Sequence, residues 1–251
     1  MIKILNKNIF LLAAIFYSNM CFLLENLFLK KNITNQKKKL KNGYTLLKID
    51  KPIKINKKSC KILKINKYFR KIIISENEVR LLIKNFFVKS CAAKKISKLT
   101  GFNYNISFFL VYNTYSIKDK DKNKLWHATA WHKDKPFSKN TLKIILPLKE
   151  IKHYDGGIQV FPKSVKIANG KVNYYQMTAK KNEFLVFESN NCFHRAGNPT
   201  KKRIRSQIMF QLNPSKNWSY SSDLFNKQKK REPKFPFIYD VFTKKENILI
   251  E

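Results

Sequence analysis

Residues 142–187 read LKIILPLKEIKHYDGGIQVFPKSVKIANGKVNYYQMTAKKNEFLVF. Four short β-rich runs lie in this stretch, at 142–148, 157–161, 172–177 and 184–187. Turn chemistry separates them: Asp155-Gly156-Gly157 and Asn169-Gly170, the second a strong hairpin signal. No helical segment stands between these strands, so they pair antiparallel instead of through βαβ crossovers. The same texture extends outward to 106–115 on one side and 204–212 on the other. Further upstream, 44–49 reads as a strand. Ser75-Glu76-Asn77-Glu78 opens a capped helix running through Leu81, Leu82, Ile83, Phe86 and Phe87. A second helical piece at 89–99 stops at Gly101. Helices followed by many short strands predict a mainly β protein with flanking helices, closed as a sandwich or barrel.

The chain of 251 residues is 43% hydrophobic and 27% charged, a composition that excludes both wholesale disorder and a multi-span membrane protein. Its 52 Lys and Arg against 16 Asp and Glu give a net charge of +36. Such an excess ordinarily signals a polyanion partner. Here only positions 70, 80, 195, 203, 205 and 231 are arginine, and the lysines are spread along a chain also rich in Ile and Asn. A genome skewed toward A and T explains that pattern without a partner, so nucleic acid is not the expected ligand. Cys21, Cys60, Cys91 and Cys192 form no CxxC pair, which leaves neither a zinc knuckle nor a disulfide framework.

Residues 9–29 are the most apolar stretch, with Lys3 and Lys7 before them and Lys30 and Lys31 after. Three readings remain open: a soluble or interfacial helix, a membrane anchor, and a signal peptide. Ser18, Asn19, Glu25 and Asn26 weigh against a full span, and Ser18-Asn19-Met20-Cys21 is a poor cleavage site. The expected organisation is a hydrophobic segment at 1–30, a basic linker at 31–42, a β domain at 43–214 and a polar, proline-interrupted extension at 215–251 wrapping the outside.

Among the four histidines, His132 is the informative one, because Trp131-His132-Lys133-Asp134 places an imidazole and a carboxylate two residues apart. In extended backbone such residues point to the same side, where both can face one metal ion. His194, just beyond the run 184–187, is the third candidate ligand. Two histidines and one carboxylate leave three adjacent octahedral positions open, the arrangement of non-haem Fe(II) oxygenases. Two positions suit a bidentate 2-oxo acid and the third dioxygen. Arg205, on the strand after His194, carries the planar fork that would hold the far carboxylate of such an acid, with Arg203 on the same strand face as a substitute.

With these residues in place, the sequence resembles the Fe(II)/2-oxoglutarate oxygenase superfamily, and within it the phytanoyl-CoA dioxygenase-like family, over about residues 43–213. Residues 40–47, LKNGYTLL, are similar to the family's opening strand, and Trp131-His132-Lys133-Asp134 to its metal motif. Residues 155–164, DGGIQVFPKS, are similar to the glycine, strand, proline and serine run that follows the motif. His194, Asn198 and Arg205 match the distal histidine, asparagine and co-substrate arginine. The resemblance implies a double-stranded β-helix, or jelly roll. It implies Fe(II) held by His132, Asp134 and His194, 2-oxoglutarate anchored by Arg205, and O2 as co-substrate. Hydroxylation with release of succinate and CO2 would follow, since Asp134 stands where related halogenases carry a small residue. Two departures are visible: Asn182-Glu183 replaces a Gly-Asp turn, for which Asn can supply the αL conformation, and Val165 replaces a histidine.

Asn113 and Tyr112, on the strand before the motif, together with Trp126, His127, Trp131 and Asn198, are expected to line the co-substrate and substrate pocket. The expected substrate is a small-molecule or carrier-linked metabolite. Cytoplasm is the expected location, with membrane association through 9–29 left open. The rival readings are a non-catalytic jelly-roll binding module and an oxygenase acting on nucleic acid.

Overall fold

A computed structural model describes residues 2–30, 40–56, 60–118, 121, 129–134, 138–164, 173–200, 203–228 and 245–248. An N-terminal helix, α1 (Ile2–Phe28), precedes strands β1 (Tyr44–Lys48), β2 (Lys61–Asn66) and β3 (Phe69–Ile73). Helix α2 (Glu76–Ile83), a π-helical turn (Lys84–Lys89) and α3 (Ala92–Thr100) follow, then β4 (Asn103–Tyr115), β5 (Leu142–Pro147), β6 (Gln159–Val160), β7 (Tyr175–Gln176), β8 (Glu183–Phe187), β9 (His194–Arg195), β10 (Ile204–Ser215), β11 (Ser219–Ser221), α4 (Leu224–Lys227) and β12 (Lys245–Asn247).

Two sheets result. The larger has nine strands in the path β1-β8-β5-β10-β4-β11-β12, with the β2–β3 hairpin attached to β4 through β3; the smaller is β7-β6-β9. Pairing is antiparallel except where β11 runs parallel to β4. The long pair β4 and β10 is the spine, with Ile204 opposite Tyr115 and Ser215 opposite Asn103. Period-two alternation divides its faces. Ile144, Leu146, Phe184, Val186, Ile208, Phe210 and Leu212 pack outward against Val79, Leu82 and Ile83 of α2, Phe86 and Phe87 of the π turn, and Ile96 of α3. The alternate residues Ile145, Leu185 and Phe187 meet Ile158, Val160 and Met177 of the second layer. This inner face also carries the site. The architecture is the expected jelly roll: mainly β, with helices on one face.

Local signals account for the helices. Ser75 caps α2 by accepting from the backbone N–H of Glu78 at 3.3 Å, and Gly101 ends α3 with φ 84°. The β2–β3 hairpin is an element that the sequence reading did not anticipate: five of the six β2 side chains are exposed, so no buried alternation marks it. The run 157–161 contributes only Gln159–Val160 to a strand, and 172–177 only Tyr175–Gln176 among described residues. The Asn169-Gly170 turn lies outside the described residues. The turn at Asn182 survives without left-handed backbone; Cys91 is the one non-glycine residue with positive φ among those described. It is held instead by Glu183 N donating to Lys180 O at 3.0 Å and Lys180 N donating to the Glu183 carboxylate at 2.9 Å.

Helix α1 packs on the domain through Ala14, Tyr17, Ser18, Cys21 and Glu25, all buried. Its segment Leu11–Phe28 is long and apolar enough to cross a membrane by length and composition.

Candidate metal centre and co-substrate pocket

Backbone pairing brings the triad together. His132 and His194 form an antiparallel bridge with reciprocal bonds, His132 N to His194 O at 3.1 Å and His194 N to His132 O at 2.9 Å. Directly opposed residues of such a pair share one face, so both imidazoles project to the same side with ring centroids 4.4 Å apart. Asp134, two residues on, joins them, its backbone N–H fixed to Ser189 O at 3.1 Å. Ligand atoms of His132, Asp134 and His194 all lie within 4.8 Å of one another.

The donor set fits a divalent metal. His132 Nδ1 lies 2.8 Å from Ala130 O and His194 Nδ1 3.1 Å from Cys192 O. Each contact requires the proton on Nδ1 and leaves the Nε2 lone pair for a metal. Those Nε2 atoms lie 3.9 Å and 3.7 Å from the two carboxylate oxygens of Asp134. Asp134 turns its buried carboxylate toward the two imidazoles, with the Lys143 ammonium on Oδ2. Burial works against the Asp134 charge, but the Lys143 ammonium and the His194 imidazole outweigh it and hold the carboxyl at about 2. Burial, with Lys143 and His132, lowers His194 to about 4. His194 is therefore neutral at physiological pH. A depressed folded-state value favours the native state above the unfolded value of 6.5 and loses that contribution as pH falls through about 4. Thermal stability, measured by scanning calorimetry, should fall between these pH values, whereas protonation of His194 should weaken Co(II) binding in titration calorimetry only as pH drops below about 4.

Lys143 is a site residue that the sequence reading missed. It projects from β5 to place Nζ 2.7 Å from Asp134 Oδ2, and is itself buried. A lone lysine inside the buried run LKIILP was the available signal. Its ammonium competes with a metal for the same carboxylate. Lys143→Met should therefore bind Co(II) about tenfold more tightly, ~1.4 kcal/mol, in titration calorimetry; weaker binding would show that Lys143 instead positions Asp134.

A cavity of about 490 Å3 opens over the triad, walled by Leu110, Ile145, Ile158, Phe187 and Met209. Tyr112, Thr114, Asn198, Arg205 and Gln207 supply its polar lining. A larger surface hollow of about 600 Å3 between α3 and β5 contains no triad residue. Arg205 is fully buried, giving Nη1 to Gly197 O at 3.0 Å and Nη2 to Thr114 Oγ1 at 3.4 Å, while Nε finds no acceptor. Burial lowers its pKa; among its neighbours, Tyr112 and Asp155 favour the charge. A buried guanidinium with an unused donor beside a cavity fits a bound carboxylate. Its seat depends on two crowded glycines. A Cβ on Gly157 would come within 1.9 Å of Met177 O, and one on Gly197 within 2.3 Å of Gly157 O.

Other expected pocket residues fall elsewhere. Asn113 alternates with Tyr112 and Thr114, so it faces away and accepts from Ser206 Oγ at 2.6 Å. Arg203 precedes β10, is exposed, and stacks on Tyr154 at 4.7 Å. Trp131 alternates with His132 and sits outside the cavity against Phe161 at 4.2 Å, under Arg195 at 4.4 Å. Tyr112 does line the cavity and accepts from Gln207 Nε2. Asn198 lines it while holding Ile117 N at 2.9 Å. Trp126 and His127 lie outside the described residues. Cys192 belongs to the core between the sheets, its thiol pushed up to about 12 by burial.

No protein-family model matches the chain, and no curated protein matches it in sequence. Solved structures do. The non-heme alpha ketoglutarate dependent epimerase SnoN from nogalamycin biosynthesis aligns over 71% of this chain and 82% of its own, with 12% identity and a TM-score of 0.50. SnoN in complex with Fe3+, alpha ketoglutarate and nogalamycin RO gives the same values. EctD from S. alaskensis with bound Fe covers 81% of this chain and 89% of its own at 12% identity and TM-score 0.49. The likeness to SnoN is one of fold.

Proposed function

We propose that the chain is an Fe(II)- and 2-oxoglutarate-dependent oxygenase, similar to the phytanoyl-CoA dioxygenase-like family, which hydroxylates a small-molecule or carrier-linked metabolite in the cytoplasm. One observation carries the reading: two imidazoles and one carboxylate within 4.8 Å of each other, at the floor of a cavity that also contains a buried arginine. His132 and His194 would hold the metal through Nε2 and Asp134 through its carboxylate, and Arg205 would take the distal carboxylate of 2-oxoglutarate. Bound iron with 2-oxoglutarate and O2 supplies the oxidising power for C–H hydroxylation, with succinate and CO2 as co-products.

The chain's own residues do the positioning. Carbonyls 130 and 192 fix both imidazole tautomers. The apolar wall of Leu110, Ile145, Ile158, Phe187 and Met209 keeps water from the reacting atoms. The cavity volume suits a small organic ligand. Purified protein given Fe(II), 2-oxoglutarate and air should release succinate in proportion to 2-oxoglutarate consumed. Absence of succinate with every tested metal would favour the non-catalytic binding module.

A further inference from the structure

The outer face of α1 is unlike the rest of the surface. Ile9, Leu11, Leu12, Ile15, Phe16, Met20, Phe22, Leu23, Leu24, Leu27 and Phe28 are all exposed on it, with Phe16 at 71% and Phe28 at 78%. The opposite stripe is committed to the protein: Asn190 Nδ2 donates to Ser18 Oγ at 2.8 Å, and Glu25 accepts from Ser138 Oγ and from Asn140 Nδ2, the latter at 3.0 Å. The helix therefore has a polar-stitched inner side and a largely apolar outer side, interrupted by the exposed Asn19. A transmembrane orientation would tear Glu25 and Ser18 from these partners and place a carboxyl group in hydrocarbon.

Charge selects the occupant of the free face. Residues 1–49 contain nine lysines and one acid, Glu25, which is buried. Lys30 and Lys139 are exposed beside the apolar face, Lys139 lying 5.4 Å from the Phe22 ring centroid. Two copies meeting through this face would bring bodies of +36 each together, whereas an anionic lipid surface attracts the same lysines while taking up the apolar side chains.

We infer that α1 is an in-plane membrane anchor: its outer face lies in the headgroup and acyl boundary of an anionic bilayer, with the domain held beneath it through Ser18 and Glu25. The test is flotation of the full chain with vesicles of phosphatidylglycerol and phosphatidylcholine in equal parts, compared with phosphatidylcholine alone. The protein should float with the anionic vesicles, at least tenfold less with the neutral ones, and should be released by alkaline carbonate. The Leu12→Glu/Phe16→Glu/Leu23→Glu variant should remain unbound while its far-ultraviolet dichroism and succinate release stay unchanged. If that variant does not fold, Phe16→Ser/Leu27→Ser tests the same face and should lose most of the binding. Equal flotation of variant and parent, failure of the parent to float, or carbonate resistance would each overturn the inference. So would a lipid-independent dimer that the variant dissociates.

Discussion

Asp134→Ala should abolish 2-oxoglutarate turnover and reduce Co(II) affinity by three orders of magnitude or more. The carboxylate is the only anion in a donor set whose other members are imidazoles, so its removal leaves two weak ligands and no negative charge to offset a dication. The same substitution has a second consequence. Lys143 would be left buried without the carboxylate 2.7 Å away, and stranding one half of a buried pair costs about 3–5 kcal/mol. The variant should therefore melt well below the parent. Adding Lys143→Met removes the stranded charge, so the double variant should recover most of the lost melting temperature while remaining without turnover. Recovery of stability without recovery of activity separates the metal role of Asp134 from its ion pair. Turnover surviving in the folded double variant would count against the triad.

Arg205→Met should weaken 2-oxoglutarate binding by about a hundredfold, roughly 3 kcal/mol, as a rise in KM and in the Kd measured with Co(II) present. Metal affinity in the absence of 2-oxoglutarate should change little, because Arg205 touches Gly197 and Thr114 and none of the three ligands. The stability of the ligand-free protein should hold or rise. A fully buried guanidinium with an idle Nε is costly to keep charged, and a methionine of similar length fills the space without that cost. A variant with normal 2-oxoglutarate affinity would assign Arg205 a purely structural part.

Part of this candidate site was legible in the sequence, where the weak signal of the HxD spacing gained weight from His194 and from the ordered matches of the family resemblance. His132 and Asp134 declare themselves because extended backbone puts residues two apart on one side, and the β-rich runs on either side make extended backbone the expected state there. Arg205 was legible for the same reason. The strand 204–212 alternates Arg205, Gln207, Met209 and Gln211 on one face with Ile208, Phe210 and Leu212 on the other, the pattern of a sheet facing a polar cavity and a greasy helix layer. The same rule separates Tyr112 from Asn113, which adjacent positions on one strand cannot both place in the pocket. Arg203 fails for a different reason: it lies before the strand begins, so alternation does not govern it.

Other features depend on contacts far apart in sequence. Nothing local says that Glu25 will meet Ser138 and Asn140, or that Lys143 will reach Asp134. The β2–β3 hairpin is invisible because β2 buries almost nothing: Lys61, Ile62, Leu63, Lys64 and Ile65 all face solvent, and edge pairing through β3 holds them. Cross-strand convergence of His132 with His194 is likewise a register fact, settled by the antiparallel bridge that sets residue 132 opposite residue 194 and not by any residue beside either histidine.

His132, Asp134 and His194 should share one metal ion. Anomalous diffraction from crystals of the Co(II)-loaded protein tests it directly: a single peak about 2.0–2.2 Å from His132 Nε2, His194 Nε2 and an Asp134 oxygen is the result expected. A peak bonded to other residues, or none at saturating Co(II) with Lys143 still seated on Asp134, would contradict it.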